Sequence, residues 1–162
     1  MRLRTTIQRN NRWICLGIML AVAIGLASCD RNTIYYHYEH APIAGWEKND
    51  SLSFDIPPVS AGLYREELGL RIDSDYPFMG LSLVIKQTIL PSGYVHRDTL
   101  NCNLVDKDGN HKGTGISFYQ YNFHINTLRL QEGDSLHITV RHNMKREIMP
   151  GVADVGIRLD RQ

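Results

Sequence analysis

Strict alternation of apolar and polar residues is the feature that most limits how this chain can fold. Successive side chains of an extended strand point to opposite faces, so one apolar and one polar face indicate a strand that covers a core on one side. The alternation recurs in six segments, whose apolar positions are Leu52–Phe54–Ile56, Leu68–Leu70–Ile72, Leu81–Leu83–Ile85, Leu100–Cys102–Leu104, Leu136–Ile138–Val140 and Val155–Ile157–Leu159. These segments predict an all-β fold built from antiparallel strands.

Turn-forming residues separate the predicted strands. Pro91-Ser92-Gly93 and Asp108-Gly109 have the composition of hairpin loops, because Pro fixes φ and Gly accepts positive φ. Helical spacing never persists for long, and Ser60–Glu67 is the best candidate for one short helix. Several short strands at near-regular intervals predict a single antiparallel β-sandwich, jelly-roll or immunoglobulin-like, with a barrel as the alternative.

The first residues have the composition of a secretory signal peptide. Four arginines precede the uncharged run Trp13–Leu26, which as a helix would span roughly 21 Å, less than the ~30 Å hydrocarbon core of a bilayer. An uncleaved membrane anchor is the alternative. Leu26-Ala27-Ser28-Cys29 resembles the bacterial lipobox, in which the cysteine sulfur receives diacylglycerol. By this resemblance residues 1–28 are a signal peptide, and Cys29 is the first mature residue and the lipid attachment point.

The rest of the chain is expected to lie on one side of the membrane, because no later apolar run is long enough to span it. We expect a tether or first strand over 29–45 and the β-sandwich over 46–162. Removing the leader takes four of the 18 basic residues and none of the 17 acidic ones, which leaves a net charge of −3. Nucleic acid is therefore not an expected partner, since its binding needs clustered Lys and Arg.

Only one cysteine remains for the interior of the mature protein. Cys15 leaves with the signal peptide and Cys29 would carry lipid, so no intramolecular disulfide is expected. Cys102 alternates with Leu100 and Leu104, which favours a small buried core residue over a reactive thiol.

Catalytic and metal-binding patterns are weak throughout. His37 and His40 are three residues apart in a strand-like segment, where their side chains would point to opposite faces, so no metal site is expected. Asp106–Asn110 lacks the ligand spacing of a calcium loop. No cofactor and no catalysis are therefore expected.

Aromatic residues near the start of the body offer two interpretations. Trp46 with Tyr35, Tyr36 and Tyr38 could form a platform that contacts a glycan or a protein partner. The alternative, which the position of Trp46 just after Gly45 favours, is a buried tryptophan that closes one end of the sandwich.

An ordered set of short motifs follows the lipobox across most of the mature chain. They are Ala41-Pro42 to Gly45-Trp46, Asp50-Ser51-Leu52-Ser53-Phe54-Asp55-Ile56-Pro57, Leu70-Arg71-Ile72, Tyr76-Pro77-Phe78, Pro91-Ser92-Gly93, Asp98-Thr99-Leu100, Gly113-Thr114-Gly115 and Met149-Pro150-Gly151-Val152 through Arg158. In this order they are similar to the gliding-motility lipoprotein GldH family of Bacteroidetes-type bacteria.

The resemblance implies an accessory component of the cell envelope and supplies no catalytic residues. It implies attachment to a membrane through lipid on Cys29. We expect contact with other envelope proteins to be the mode of action. Asp30-Arg31-Asn32 lacks the acidic run associated with surface export in such bacteria, which favours a periplasm-facing position on the outer membrane. A glycan- or peptidoglycan-binding sandwich is the alternative function.

Overall fold

A computed structural model describes residues 32–162, and within them every regular element is a strand. The strands are β1 Thr33–His40, β2 Trp46–Glu47, β3 Leu52–Ile56, β4 Gly62–Asp73, β5 Gly80–Leu90, β6 Tyr94–Asn103, β7 Phe118–Leu130, β8 Ser135–His142, β9 Ile148–Met149 and β10 Val152–Arg161. No segment of this part of the chain forms a helix long and apolar enough to cross a membrane. The signal peptide at 1–28 and Cys29 lie outside the described residues.

Two four-stranded sheets form the body. Their strand orders are β1-β10-β4-β7 and β3-β8-β5-β6, and every pairing is antiparallel. If the eight long strands are counted in chain order, the sheets read first-eighth-third-sixth and second-seventh-fourth-fifth. That order is a jelly roll, so the predicted sandwich is confirmed and neither the immunoglobulin-like form nor the barrel is adopted.

The core lies between the inner faces of the two sheets and is built from the predicted alternating residues. Leu68, Leu70 and Ile72 of β4 are fully buried and face apolar residues of β5 and β8 in the other sheet. Strand β4 pairs with β10 on one side and β7 on the other, so most of its backbone donors and acceptors have a strand partner. Burial of its apolar face and this double pairing make β4 the centre of the first sheet.

The expected helix at Ser60–Glu67 is wrong. The segment enters β4, where Tyr64 and Glu66 alternate inward on the same face as Leu68. The alternation of buried and exposed residues therefore extends back into a segment whose composition suits a helix. Pairing with a strand on each side makes this segment a strand.

The two hairpin predictions have different outcomes. Pro91-Ser92-Gly93 joins β5 to β6 directly, as expected. Asp108-Gly109 instead forms a turn inside the long connection between β6 and β7, where an isolated bridge joins Val105 to His111. No long strands flank it.

The two ends of the sandwich differ in the length of their connections. At the short-turn end, residues 57–61, 91–93 and 131–134 join strands, and β1 begins there. At the long-loop end, the connections are residues 41–51, 74–79, 104–117 and 143–151. The small β2–β9 pair lies within two of these longer connections and covers the core at that end.

Trp46 closes the long-loop end of the core. Its side chain is fully buried, its Nε1 donates to the carbonyl of Asp50 at 3.2 Å, and its ring meets the buried His142 edge-on at 5.5 Å. The preceding Gly45 has a φ of 109°, and a Cβ there would clash with the side chain of Ile148. The buried position predicted for Trp46 is therefore the one found.

Cys102 is also buried as predicted. It lies on the inner face of β6 opposite Leu81, and burial raises the pKa of its thiol to about 12. A thiol with so high a pKa holds little thiolate at neutral pH, so Cys102 acts as a small core residue.

A polar cluster interrupts the apolar core near the middle of β4. Glu66 is fully buried, and the Nε2 of Gln87 from the other sheet donates to its Oε2. Asn126 Nδ2 donates in turn to Gln87 Oε1 at 3.1 Å. Glu66 Oε1 and Asn126 Oδ1 find no hydrogen-bond partner among residues 32–162. Desolvation by burial raises the pKa of Glu66 to about 8, so its carboxyl is protonated at neutral pH.

We predict that Trp46→Ala lowers the free energy of unfolding by about 3–5 kcal/mol, because a large fully buried ring leaves a cavity. The measurement is chemical denaturation with thermal melting of the purified domain. Tyr94→Ala, at an exposed ring, is the control and should stay within about 0.5 kcal/mol of wild type. A Trp46 variant that melts like wild type would contradict the closing role of this ring.

We also predict that stability falls as pH rises from about 5 to about 8, by at most about 1.4 kcal/mol per pH unit from Glu66. The unfolded chain loses this proton near its ordinary pKa of 4.5, whereas the folded protein keeps it until about 8. Glu66→Gln should remove that contribution and stabilise the protein at neutral pH, while Glu67→Gln should retain it. Denaturation midpoints at pH 5.5 and 7.5 measure the difference, and equal slopes for wild type and Glu66→Gln would refute the assignment.

Candidate functional site

The residues proposed from the sequence to touch a ligand or partner do not lie on one surface. Trp46 is buried, so its ring cannot contact a ligand, which corrects its place among the candidate contacts. Tyr35 faces inward at the sheet edge, is half-buried and packs against the core. Tyr36 and Tyr38 point to the outer face of the first sheet, where Tyr36 is 52% exposed.

Tyr38 lies flat across two paired glycines. Gly156 of β10 pairs with Tyr38 of β1 on one side and with Gly69 of β4 on the other. These three residues therefore form one row across three neighbouring strands. A Cβ on Gly156 would lie 2.7 Å from the Tyr38 ring, and one on Gly69 would lie closer still to its hydroxyl. The absence of side chains at both glycines is therefore what admits the ring.

Arg71 lies over the Tyr38 ring. Its guanidinium carbon lies 4.2 Å from the ring centroid, a cation–π contact. The same guanidinium lies 3.5 Å from the carboxylate of Asp154, which also pairs with His40. Burial is the main cause that raises the pKa of Tyr38, with the Tyr36 hydroxyl bond adding to it.

Tyr36 meets Tyr38 edge-on, with ring centroids 5.4 Å apart and hydroxyl oxygens 3.2 Å apart. Arg158 extends beside Tyr36, 5.8 Å from its ring centroid, and its Nε donates to Asp160 at 2.9 Å. We call the outer surface formed by Tyr36, Tyr38, Arg71, Asp154 and Arg158 the tyrosine–arginine face.

An apolar cleft of about 640 Å³ continues from this face at the long-loop end. His40 and Asp154 line it where it meets the face, and Ala41, Pro42 and Val152 line its apolar part. Ile43 stands at its rim with a fully exposed side chain (107% relative exposure), and Phe118 is half-exposed beside it. The rim of the cleft therefore exposes two large apolar side chains to solvent.

Sequence reasoning did not find the cleft. Ile43 lies in the segment taken as a tether or first strand, and Phe118 begins β7, which was not identified. A signal for β7 was present, because Tyr119, Tyr121, Phe123 and Ile125 alternate with polar residues. No pattern in the sequence, however, places residue 43 beside residue 118.

Titratable residues elsewhere do not assemble a metal centre. Within residues 32–162 no group of three or more His, Cys, Asp or Glu side chains is arranged to hold an ion. His137 pairs with Asp55 at 2.6 Å on an exposed outer face, and His37 pairs with Glu39 at 3.0 Å. These are two-residue surface contacts.

The sequence model of the family described as GldH lipoprotein matches residues 33–159. The Gliding motility lipoprotein GldH of Flavobacterium johnsoniae is 30% identical to this chain over 154 residues, which cover 90% of this chain and 96% of the relative.

Solved structures resemble the chain far more distantly. A family 35 carbohydrate-binding module from Clostridium thermocellum is 12% identical, with a TM-score of 0.39 over 78% of this chain and 89% of the module. A family GH115 4-O-methyl-α-glucuronidase is 13% identical, with a TM-score of 0.49 over 83% of this chain, which spans only 18% of that enzyme. These likenesses carry no information about a ligand. The match to the family model and to the relative covers nearly all of the described residues, and the chain belongs to the GldH lipoprotein family.

Proposed function

We propose that this lipoprotein is an accessory component of gliding-motility or cell-envelope machinery that acts by protein–protein contact and not by catalysis. It is held on the outer membrane, on the periplasmic side, by lipid on Cys29. Membership of a family that includes a gliding motility lipoprotein supports the setting. The mode of action is supported by the surface of the domain itself.

The observation that carries the proposal is the continuity of the tyrosine–arginine face with the apolar cleft. Tyrosine and arginine are enriched among the residues that dominate binding energy at protein interfaces, and phenylalanine is enriched in interfaces as well. Arg71 and Asp154 are held in place by Tyr38, His40 and each other, so little side-chain freedom would be lost on binding. A partner would meet a pre-formed surface with exposed Ile43 and Phe118 at its apolar end.

The same geometry is a poor fit to a glycan platform. Sugar binding by stacking needs open aromatic faces, yet Trp46 is buried and the guanidinium of Arg71 lies over the Tyr38 ring. Tyr36 alone among the four candidate aromatic residues exposes half of its surface. A single exposed ring gives much less stacking surface than a platform of several rings. This favours a protein over a glycan or peptidoglycan as the partner.

We predict that Cys29→Ala abolishes acylation and releases the protein from the outer-membrane fraction, because no other residue would carry the lipid. Metabolic labelling with an alkyne fatty acid, followed by membrane fractionation, measures both effects. Cys102→Ala, which removes a buried thiol, should label like wild type. Equal labelling of the Cys29 variant would disprove this attachment point.

We predict that a photo-crosslinking residue at position 43 or 118 captures the same envelope protein in living cells. The same residue at the exposed position 99, on the outer face of the second sheet, should not capture it. Phe118→Asp should lose the partner from co-purification while the protein melts as wild type does. Capture that is equal from all three positions would contradict a specific interface.

A polysaccharide pull-down distinguishes the alternative function, glycan or peptidoglycan binding, from action by protein–protein contact. Wild type and Tyr36→Ala are compared on immobilised envelope glycans, including peptidoglycan. Binding that Tyr36→Ala abolishes without a change in melting temperature would transfer the function to a glycan-binding module.

A further inference from the structure

The start of β1 lies very close in sequence to the proposed lipid attachment point. Only Asp30, Arg31 and Asn32 separate Cys29 from Thr33. The carbonyl of Asn32 already accepts a hydrogen bond from the backbone of Arg161 at 2.7 Å, so the sheet extends to Asn32. A chain spans at most about 3.6 Å per residue, so the Cα of Cys29 lies within about 11 Å of the Cα of Asn32.

Such a short connection determines which end of the sandwich faces the lipid. Thr33 and Asn32 belong to the short-turn end, together with the turns at residues 57–61, 91–93 and 131–134. The 12-residue strand β4 then runs roughly 36 Å from this end toward the long-loop end. The cleft at the long-loop end cannot reach the bilayer unless the domain lies on its side.

The short-turn end carries its own exposed apolar surface. Pro57 and Pro58 line two adjacent hollows, one shared with Ile34 and the other with Leu90. Ile34 and Leu90 are 39% and 44% exposed, and the exposed Tyr94 follows Leu90 across the turn. Exposed apolar side chains therefore occur at this end on both sheets, at Ile34 of β1 and at Leu90 and Tyr94 beside the β5–β6 turn, while Asp55 and Arg161 are among the polar residues that line the same hollows.

The charged groups at this end are largely engaged with the protein itself. Glu132 accepts from the backbone of Ala61, Asp134 accepts from the backbone of Gln131, and Arg161 donates to the carbonyl of Ala61. No cluster of Lys and Arg is present at these turns, so attraction to anionic headgroups is not the mode of contact. A shallow apolar contact with the headgroup–acyl boundary fits these residues, and a tyrosine suits that boundary because its ring is apolar and its hydroxyl is polar.

We propose that the short-turn end is a membrane-contact surface, on which Ile34, Pro57, Pro58, Leu90 and Tyr94 rest against the phospholipid bilayer that holds Cys29. This inference rests on the proposed lipid attachment. The domain then stands upright, with the tyrosine–arginine face along its side and the cleft at the far end, directed away from the membrane.

The test uses the full acylated protein, purified from membranes and reconstituted into phosphatidylcholine–phosphatidylethanolamine vesicles. Leu90→Cys is labelled with an environment-sensitive fluorophore, and Ile116→Cys, 96% exposed at the long-loop end, is the matched control. Cys102 stays unlabelled because it is buried. Contact with the bilayer should shift the emission at position 90 to shorter wavelength, and spin-labelled phospholipid in the vesicles should quench that emission. Neither effect is expected at position 116.

Flotation of the same vesicles tests the lipid anchor on Cys29 separately from the membrane-contact surface. Protein that floats with the vesicles but is not quenched at position 90, or is quenched equally at 116, overturns the contact surface and leaves the anchor intact. Protein that does not float overturns the anchor and this surface with it.

A long Gly-Ser insertion between Asp30 and Arg31 provides a second variant, in which residues 32–162 keep their sequence. If the apolar surface itself binds the bilayer, quenching at position 90 persists with the longer tether. Loss of quenching in this variant would mean that the short connection alone holds the end near the membrane, and would overturn the binding role of the five residues.

Discussion

Strand β1 is held at the edge of the first sheet by its pairing with β10, which runs from Thr33 to His40. This pairing determines much of what the domain can do. It brings the N-terminal side of the domain to the short-turn end and extends the sheet to within three residues of Cys29. It also brings Tyr36 and Tyr38 onto the outer face, beside charged residues of β10 and β4. Without β1, neither the tyrosine–arginine face nor one wall of the cleft would exist.

Two glycines allow the Tyr38 side chain of the edge strand β1 to pack across the neighbouring strands. Gly69 and Gly156 are directly opposite each other, and Tyr38 fills the space that their missing side chains leave. The ring then supports Arg71, which reaches Asp154 and through it His40. A sheet face that would otherwise carry independent polar side chains thus becomes one connected layer, in which each group restricts the next.

The sequence alone predicted the parts of the fold that depend on local alternation. Leu68, Leu70 and Ile72 are an example. In a strand that covers a core on one side, apolar side chains must recur at every second residue. Ser60–Glu67 was misassigned because composition there favours a helix, whereas pairing with strands distant in sequence decides its structure. The burial of Trp46 and Cys102 was foreseen from neighbouring residues. The contact of Tyr38 with Gly69, and the placement of Ile43 and Phe118 on one cleft, depend on how distant segments come together, which no local pattern specifies.

The jelly-roll order makes the first sheet depend on a strand at the far end of the described residues. Strand β10 is the last strand, yet it lies between β1 and β4, and Thr33 bonds to Asp160 across 127 positions. The first sheet therefore cannot close until the last ten or so residues are available to it. Contacts of such long range form slowly, because loop closure must precede them. A chain that emerged from its N-terminus could pair the strands of the second sheet earlier, but it would lack a complete first sheet until β10 was available.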